Sequence, residues 1–115
     1  GTMALTPFSF YFLGKKRHIK VIECRSVLSQ TRGLMFRKDS HALLFTFRHK
    51  TRQSIHSFFC KPFVALWFDG KLIIDAKVVN PRQFSISPTS SFNRLLEIPV
   101  GNSIYTKIID GMRKI

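Results

Sequence analysis

The stretch FVALWFDGKLIIDAKVV, residues 63–79, decides the fold class of this chain. It contains two apolar runs, Phe63–Phe68 and Leu72–Val79, separated by a short polar segment. Each run has the length of a strand, and Asp69-Gly70 between them is a strong hairpin signal, because both central residues of the favoured turn need positive φ. The stretch therefore predicts two antiparallel strands joined by a turn at Asp69-Gly70.

Other short apolar runs lie on both sides of this hairpin. Turn residues separate them about every 8–12 residues, which is typical of a β-sandwich or barrel. Pro62 cannot donate a ladder hydrogen bond, so it marks a bend or an edge. The predicted strands are Leu5–Leu13, His18–Cys24, Ala42–Phe47, Ile55–Phe59, Phe63–Phe68, Leu72–Val79 and Arg94–Pro99.

Two short helices and two basic turns complete this prediction. Ser26 can cap a helix through Leu34, since its hydroxyl can accept from free amides of the first turn. Asn102 or Ser103 can cap a last helix through Ile109, which we expect to stop at Asp110-Gly111 before a short terminal strand. The basic turns are predicted at Lys15-Lys16-Arg17 and at residues 48–52.

The composition agrees with one packed domain over residues 1–115. Hydrophobic residues make up 44% and charged residues 22%, which is ordinary globular usage, and Phe occurs twelve times. We therefore predict a mostly β fold: a compact barrel-like or sandwich domain of six to eight short strands with one or two short helices. Gly1 and Thr2 precede Met3, and we expect them to be a cloning remnant.

Four blocks in the middle of the chain resemble a known family. They are TRGLMFR (residues 31–37), ALLFTF (42–47), IHSFF (55–59) and LLEIPVG (95–101). In order and spacing they are similar to the domain-of-unknown-function 192 family, also called uncharacterised protein family 0127, over about residues 20 to 112. The Ile55-His56 version resembles archaeal members.

The resemblance implies a barrel-like β domain with no established activity or cofactor. Family members usually carry Pro, an aliphatic residue and Asp after the double Phe, whereas this chain has Phe63, Val64 and Ala65. Gly111-Met112 stands where the family often has Gly-Asp. An acidic site shared by the family would therefore be incomplete here.

Membrane insertion and export are not expected. The longest uncharged stretch, residues 1–14, is shorter than the roughly 20 apolar residues of a membrane span. It also lacks the basic start of a signal peptide. We expect the protein to stay in the cytoplasm and to make no membrane contact.

The side chains that usually carry chemistry are few and scattered. Cys24 and Cys60 are expected to be buried thiols, with a lone disulfide as the alternative. The four histidines do not have metal-ligand spacing, so no metal and no cofactor are predicted. Among the six carboxylates, Glu23 and Glu97 fit ion pairs with basic residues better than a catalytic dyad, so no catalytic residue is assigned.

Positive charge is the best functional lead. Nineteen Lys and Arg residues oppose six Asp and Glu residues, for a formal net charge of +13. Such a surface attracts nucleic-acid backbones without reading their sequence, and accessible aromatics such as Tyr11, Phe36 and Phe84 could stack bases. The predicted function is a non-enzymatic module that contacts polyanions such as RNA or DNA. The candidate residues are Lys15, Lys16, Arg17, Lys20, Arg48, Lys50 and Arg52.

Two other interpretations stay open. Cations at turn tips also keep an aromatic-rich β fold soluble and discourage edge-to-edge pairing. A small barrel can instead hold a small molecule or a protein segment in its mouth, and Arg32, His56 and Trp67 are the candidate lining residues. Arg32 could equally tie the first helix to Glu97. The oligomeric state is left open.

Overall fold

A computed structural model of the protein describes residues 5–24, 41–55, 61–81 and 85–114. Within them, six strands form one sheet in the order β1-β2-β3-β6-β4-β5, and one helix follows. Only the β2–β3 pairing is parallel among these strands. The sheet curls into a half-barrel, which confirms the mostly β, barrel-like class. The elements are β1 (Thr6–Phe12), β2 (Lys15–Cys24), β3 (Ala42–Thr51), β4 (Phe63–Asp69), β5 (Leu72–Val79), β6 (Phe92–Pro99) and α1 (Tyr105–Arg113).

Strand β4, which lies between β6 and the edge strand β5, is buried on both of its faces. Phe63, Ala65 and Trp67 belong to one apolar cluster, and the alternate residues Val64, Leu66 and Phe68 belong to a second cluster on the other side. Successive side chains of a strand point to opposite faces, so both faces of the half-barrel need a cover.

One face is covered by the β1–β2 hairpin and by α1. The rings of Phe8 and Phe10 meet Phe68 edge to face, with centroids 5.8 and 6.0 Å apart. From the helix side, Ile104 and Ile108 are buried in the same cluster. Each fully buried side chain of this kind stabilises the fold by about 1.5–3 kcal/mol, so the hairpin is firmly held across the sheet.

An isolated antiparallel β-bridge between Ile55 and Ile86 lies over the opposite face. Ile55 and Ile86 exchange backbone hydrogen bonds of 2.9 and 3.0 Å, and both side chains join the cluster around Trp67. The Trp67 ring packs edge to face on Phe92 and carries the Lys77 ammonium 5.9 Å from its centroid. Trp67 is therefore a core residue.

The prediction of a basic turn at Lys15-Lys16-Arg17 is wrong, because these residues open β2. The two-residue turn consists of Leu13 and Gly14, which have φ values of 51° and 77°. Strand β1 ends at Phe12, one residue earlier than predicted, and Gly14 supplies a positive φ at little cost, so Lys15 already pairs with Phe12. The basic residues consequently lie along the strand rather than at its tip.

The second basic turn and the central hairpin also differ from the prediction. Residues 48–51 belong to β3, which extends beyond its apolar part. The register of its pairing with β6 shifts between Thr46 and Thr51. In the hairpin, Asp69 still pairs with Leu72, so the turn residues are Gly70 and Lys71. Of the two, only Gly70 has positive φ, which is typical of a type II′ turn.

The end of the chain is helical where a stop and a strand were predicted. Helix α1 passes through Gly111 to Arg113. Gly111 serves packing rather than termination, since a Cβ there would lie 2.7 Å from Cε1 of Phe12. Asn102 Oδ1 accepts a 3.1 Å hydrogen bond from the amide of Ile104, in the turn before the helix.

Some predictions fall on residues that the structure does not describe. They include the helix from Ser26 to Leu34, most of the strand Ile55–Phe59, and Cys60. Cys24 is buried and free, as the thiol interpretation expects.

Replacing Gly111 by Ala is expected to destabilise the protein by about 1–3 kcal/mol, because the new methyl group overpacks against the buried ring of Phe12. Urea unfolding of both proteins measures this difference. Thr106→Ala, at an exposed position of α1, is the control and should change stability by no more than about 0.5 kcal/mol. If Gly111→Ala stabilises the protein, helix propensity outweighs the contact and this packing argument is wrong.

Candidate polyanion-binding groove

A cleft opens where the half-barrel fails to close. It lies between the unpaired edge of β1 and the Gly70–Lys71 turn, and its volume is about 220 Å³. We call it the seam cleft. It is lined by Phe8, Ser9, Phe10, Tyr11, Lys16, Phe68, Gly70, Lys71 and Arg94.

A second, shallower depression adjoins the seam cleft. It has a volume of about 510 Å³ and runs along the hairpin toward the start of α1. Phe8 and Ser9 line both depressions, so together they form one continuous surface, which we call the basic groove. The second depression is lined by Leu5, Pro7, Phe8, Ser9, His18, Ile19, Lys20, His41, Asn102, Ser103 and Ile104.

Apart from Tyr11, the ionisable side chains that line the basic groove are all basic. Three cations, Lys16, Lys71 and Arg94, surround the seam cleft, while Lys20 and two histidines line its neighbour. No carboxylate belongs to the lining of either depression among the described residues. The groove thus concentrates positive potential against apolar walls, which strengthens its attraction for anions.

The described aspartates pair with cations outside the groove. The Lys50 ammonium forms an ion pair with Asp69 at 2.8 Å, and the Lys77 ammonium lies 3.8 Å from the Asp75 carboxylate. Asp110 pairs with Arg113 one turn along α1, at 3.9 Å. Of these, Asp69 is nearest to the groove in sequence, since it precedes Gly70, and Lys50 balances its charge. These carboxylates therefore do not reduce the positive potential of the groove.

The predicted polyanion-binding residues divide into three sets. Lys16 and Lys20 line the basic groove. Lys15 is exposed near the hairpin turn, and Arg48 is exposed on β3. The others are held within the fold. Lys50 pairs with Asp69, and Arg52 donates to the carbonyl of Thr89 at 3.3 Å. Arg17 is half-buried opposite Phe10, and its Nε makes no hydrogen bond with a described residue.

Sequence reasoning missed Lys71, Arg94 and His41. Lys71 carried one usable signal, because it follows the Gly of the clearest hairpin in the chain. Arg94 lies in an apolar strand and reaches the groove only because β6 places it beside Phe68. His41 is an isolated residue before β3, so no local pattern marks it.

The aromatic and alternative ligand-binding candidates have separate outcomes. Tyr11 is 61% exposed and lines the seam cleft, so it is accessible as predicted. Trp67 is fully buried and does not line an open mouth. Arg32, Phe36, His56 and Phe84 lie outside the described residues, so the binding role of Arg32 and His56 and the Arg32–Glu97 contact stay predictions.

Glu97 is a carboxyl inside the sheet. It is 4% exposed, lies between Leu43 and Ala65, and makes no ion pair with another described residue. Burial raises its pKa to about 8, which keeps it protonated at neutral pH. Burial, and secondarily the Glu97 carboxyl, raises the pKa of the Cys24 thiol to about 11, so this thiol is a poor nucleophile.

Ser9 and His18 form the one side-chain pair in the groove that resembles a nucleophile and its base. They share a 2.9 Å hydrogen bond across the β1–β2 ladder and both are exposed. A working pair of this kind needs a third group that orients the imidazole. No carboxylate lines the groove in the described ranges.

Comparison with solved structures places this fold among known small β domains. The chain is similar to a crystal structure of a protein of unknown function from Novosphingobium aromaticivorans DSM 12444, with a TM-score of 0.73 and 13% identity over 90% of this chain and 78% of the other. It is also similar to a crystal structure of a putative transcription regulator from Sinorhizobium meliloti 1021, with a TM-score of 0.69 and 17% identity over 88% and 86%. At these identities the similarity establishes the curled β fold alone.

No family model and no curated protein sequence matches the chain. The resemblance to the domain-of-unknown-function 192 family, and to its archaeal members, therefore stays a prediction.

Two further observations concern the parts of the chain that the structure describes. None of their helices is long and apolar enough to cross a membrane. They also contain no group of three or more His, Cys, Asp or Glu side chains placed to hold a metal ion.

The free energy of unfolding should decrease as the pH rises, because Glu97 is protonated in the folded state. The unfolded state loses this proton near pH 4.5, whereas the folded state keeps it to about pH 8. Unfolding between these values releases a proton. The contribution of Glu97 is therefore fully present below about pH 4.5 and is lost as the pH rises to about 8, by roughly 1.4 kcal/mol per pH unit at most.

Glu97→Gln should remove this slope, since the amide stays neutral throughout. Denaturant unfolding at several pH values between about 5 and 8 measures it. Glu23→Gln, an exposed site on β2, controls for the loss of a carboxylate as such. An unchanged slope in Glu97→Gln contradicts the assignment.

Proposed function

We propose that this protein is a non-enzymatic binding module whose basic groove holds a polyanion, RNA or DNA. The observation that supports this most directly is the lining of the groove, which joins several cations with aromatic rings and contains no acidic residue in the described part of the chain. Counterions released from a nucleic-acid backbone on contact with such a surface provide the binding free energy.

The fold supports this role by holding the cations in fixed positions. Lys16 and Lys20 stand on β2, whose hairpin is packed onto Phe68 by Phe8 and Phe10. Lys71 sits in a turn that the Asn93 side chain fastens, by accepting a 2.9 Å hydrogen bond from the Gly70 amide. Binding therefore needs little ordering of the protein backbone, which lowers its entropic cost.

One of the similar structures is called a putative transcription regulator. This agrees in kind with a nucleic-acid ligand. The proposal itself rests on the groove, because 17% identity carries the fold and no more.

Reversing two groove cations, in Lys16→Glu/Lys71→Glu, should weaken binding of a single-stranded oligonucleotide and flatten its salt dependence. The slope of log affinity against log salt should fall by roughly 0.7 for each lost phosphate contact. Fluorescence anisotropy across a salt series measures both quantities.

The matched control is Lys107→Glu/Lys114→Glu, which makes the same change of net charge at exposed positions of the C-terminal region, away from the groove. It should leave more affinity than the groove variant at every salt concentration. Equal losses in the two variants would show that only net charge matters, and they would remove the groove from the proposal. No binding by the unaltered protein at low salt would end the proposal altogether.

Lys50 has an indirect role in this proposal, because it neutralises Asp69 beside the Gly70–Lys71 turn. Lys50→Gln should lower affinity for the oligonucleotide, since it exposes a carboxylate at the groove rim. Lys50→Gln/Asp69→Asn should regain most of that loss, with net charge returned to its original value. Should the double variant bind as weakly as the single one, Lys50 contacts the ligand directly, as the sequence predicted.

A further inference from the structure

The seam cleft has an aromatic wall as well as cations. Phe8 and Phe10 stack at 5.9 Å between ring centroids, and both meet Phe68 edge to face. Phe10 and Phe68 are buried, whereas Phe8 is half-buried and Tyr11 is exposed at the mouth. Phe8 faces the core side of β1, whereas Tyr11 is exposed on the opposite side, beside Lys16. The accessible ring is therefore that of Tyr11, and a flat apolar group can lie against it.

Basic side chains form a regular row on the exposed side of the hairpin, the side that carries Tyr11. Lys16, His18 and Lys20 alternate along β2 and so point to the same side, with Tyr11 directly across the ladder from Lys16. Every second residue of a strand recurs after about 6.6–6.8 Å. This repeat is close to the distance between successive phosphates in an extended single strand, so a stretched sugar–phosphate chain fits the row.

The size of the cleft limits what can enter it. A volume of about 220 Å³ is smaller than the roughly 300–1,000 Å³ of pockets that enclose a whole drug-sized ligand. It suits one unit of a longer chain. A duplex cannot supply such a unit, because its bases are stacked inside and only its phosphates face outward.

We propose that the basic groove selects single-stranded nucleic acid, with one base stacked on Tyr11 at the mouth of the seam cleft. The phosphates beside that base contact Lys16, Lys71 and Arg94, and the strand continues along the row toward Lys20. This inference rests on the proposed function and adds to it the form of the nucleic acid and the position of a base. Duplex and other polyanions bind the outer cations only.

The test compares strands of equal charge with and without bases. The probes are an oligothymidylate of roughly 12 nucleotides, within the about 4–16 that single-strand binding modules occupy, an abasic strand of the same length, and a duplex. One stacked base contributes about 1–3 kcal/mol, so the thymidylate should bind roughly 5- to 150-fold more tightly than the abasic strand. It should also bind more tightly than the duplex at the same salt concentration.

The outcomes separate this inference from the proposed function. Equal binding of the thymidylate and abasic strands, or tighter binding of the duplex, overturns the base-stacking inference and leaves polyanion binding intact. Failure of all three probes to bind at low salt overturns both.

Variants of Tyr11 locate the base. Tyr11→Leu should reduce thymidylate affinity at least 5-fold and leave abasic affinity unchanged, because it removes a ring and no charge. Tyr11→Phe keeps the ring and should bind as the unaltered protein does. Similar melting temperatures for the three proteins show that the fold is retained. If Tyr11→Leu weakens the abasic strand as much as the thymidylate, or weakens neither, no base stacks on Tyr11.

Discussion

The burial of β4 on both faces is the constraint on which the rest of this structure depends. Six consecutive residues, Phe63–Phe68, are buried, so neither side of the sheet can face water. One side is closed by the Ile55–Ile86 bridge, and the other by α1 together with the β1–β2 hairpin. The hairpin therefore lies across the sheet, and this position places its basic strand β2 at the rim of the seam cleft. The hydrophobic core thereby positions the charge.

The incomplete closure of the barrel is what leaves room for a ligand. If β1 paired with β5, backbone hydrogen bonds would fill the space that Tyr11, Lys16 and Lys71 now line. Phe8 and Phe10 hold β1 by ring contacts with Phe68 instead. An unpaired strand edge is usually a liability for aggregation, and flanking lysines are a common protection. Here the same lysines also give the edge its affinity for anions.

Charge separation within the molecule reinforces this arrangement. The described aspartates pair with cations outside the groove, and Glu97 is buried among apolar side chains, where burial keeps it protonated. A protonated carboxyl in the core adds no negative charge that would oppose the groove. The Lys and Arg side chains that line the groove therefore face no described carboxylate there.

Local sequence determined the strands of this protein and their apolar character. The hairpin after Phe63 and the alternating phenylalanines of β1 were predictable, because period and turn chemistry act within a few residues. The exact turns were less predictable: the sequence indicated a turn at residues 15–17, whereas the chain turns at Leu13 and Gly14. Only the tertiary structure brought Lys16, Lys71 and Arg94 together and made Gly111 a packing residue against Phe12. These groups are distant along the chain, and their proximity follows from how a curled sheet closes, which no local pattern encodes.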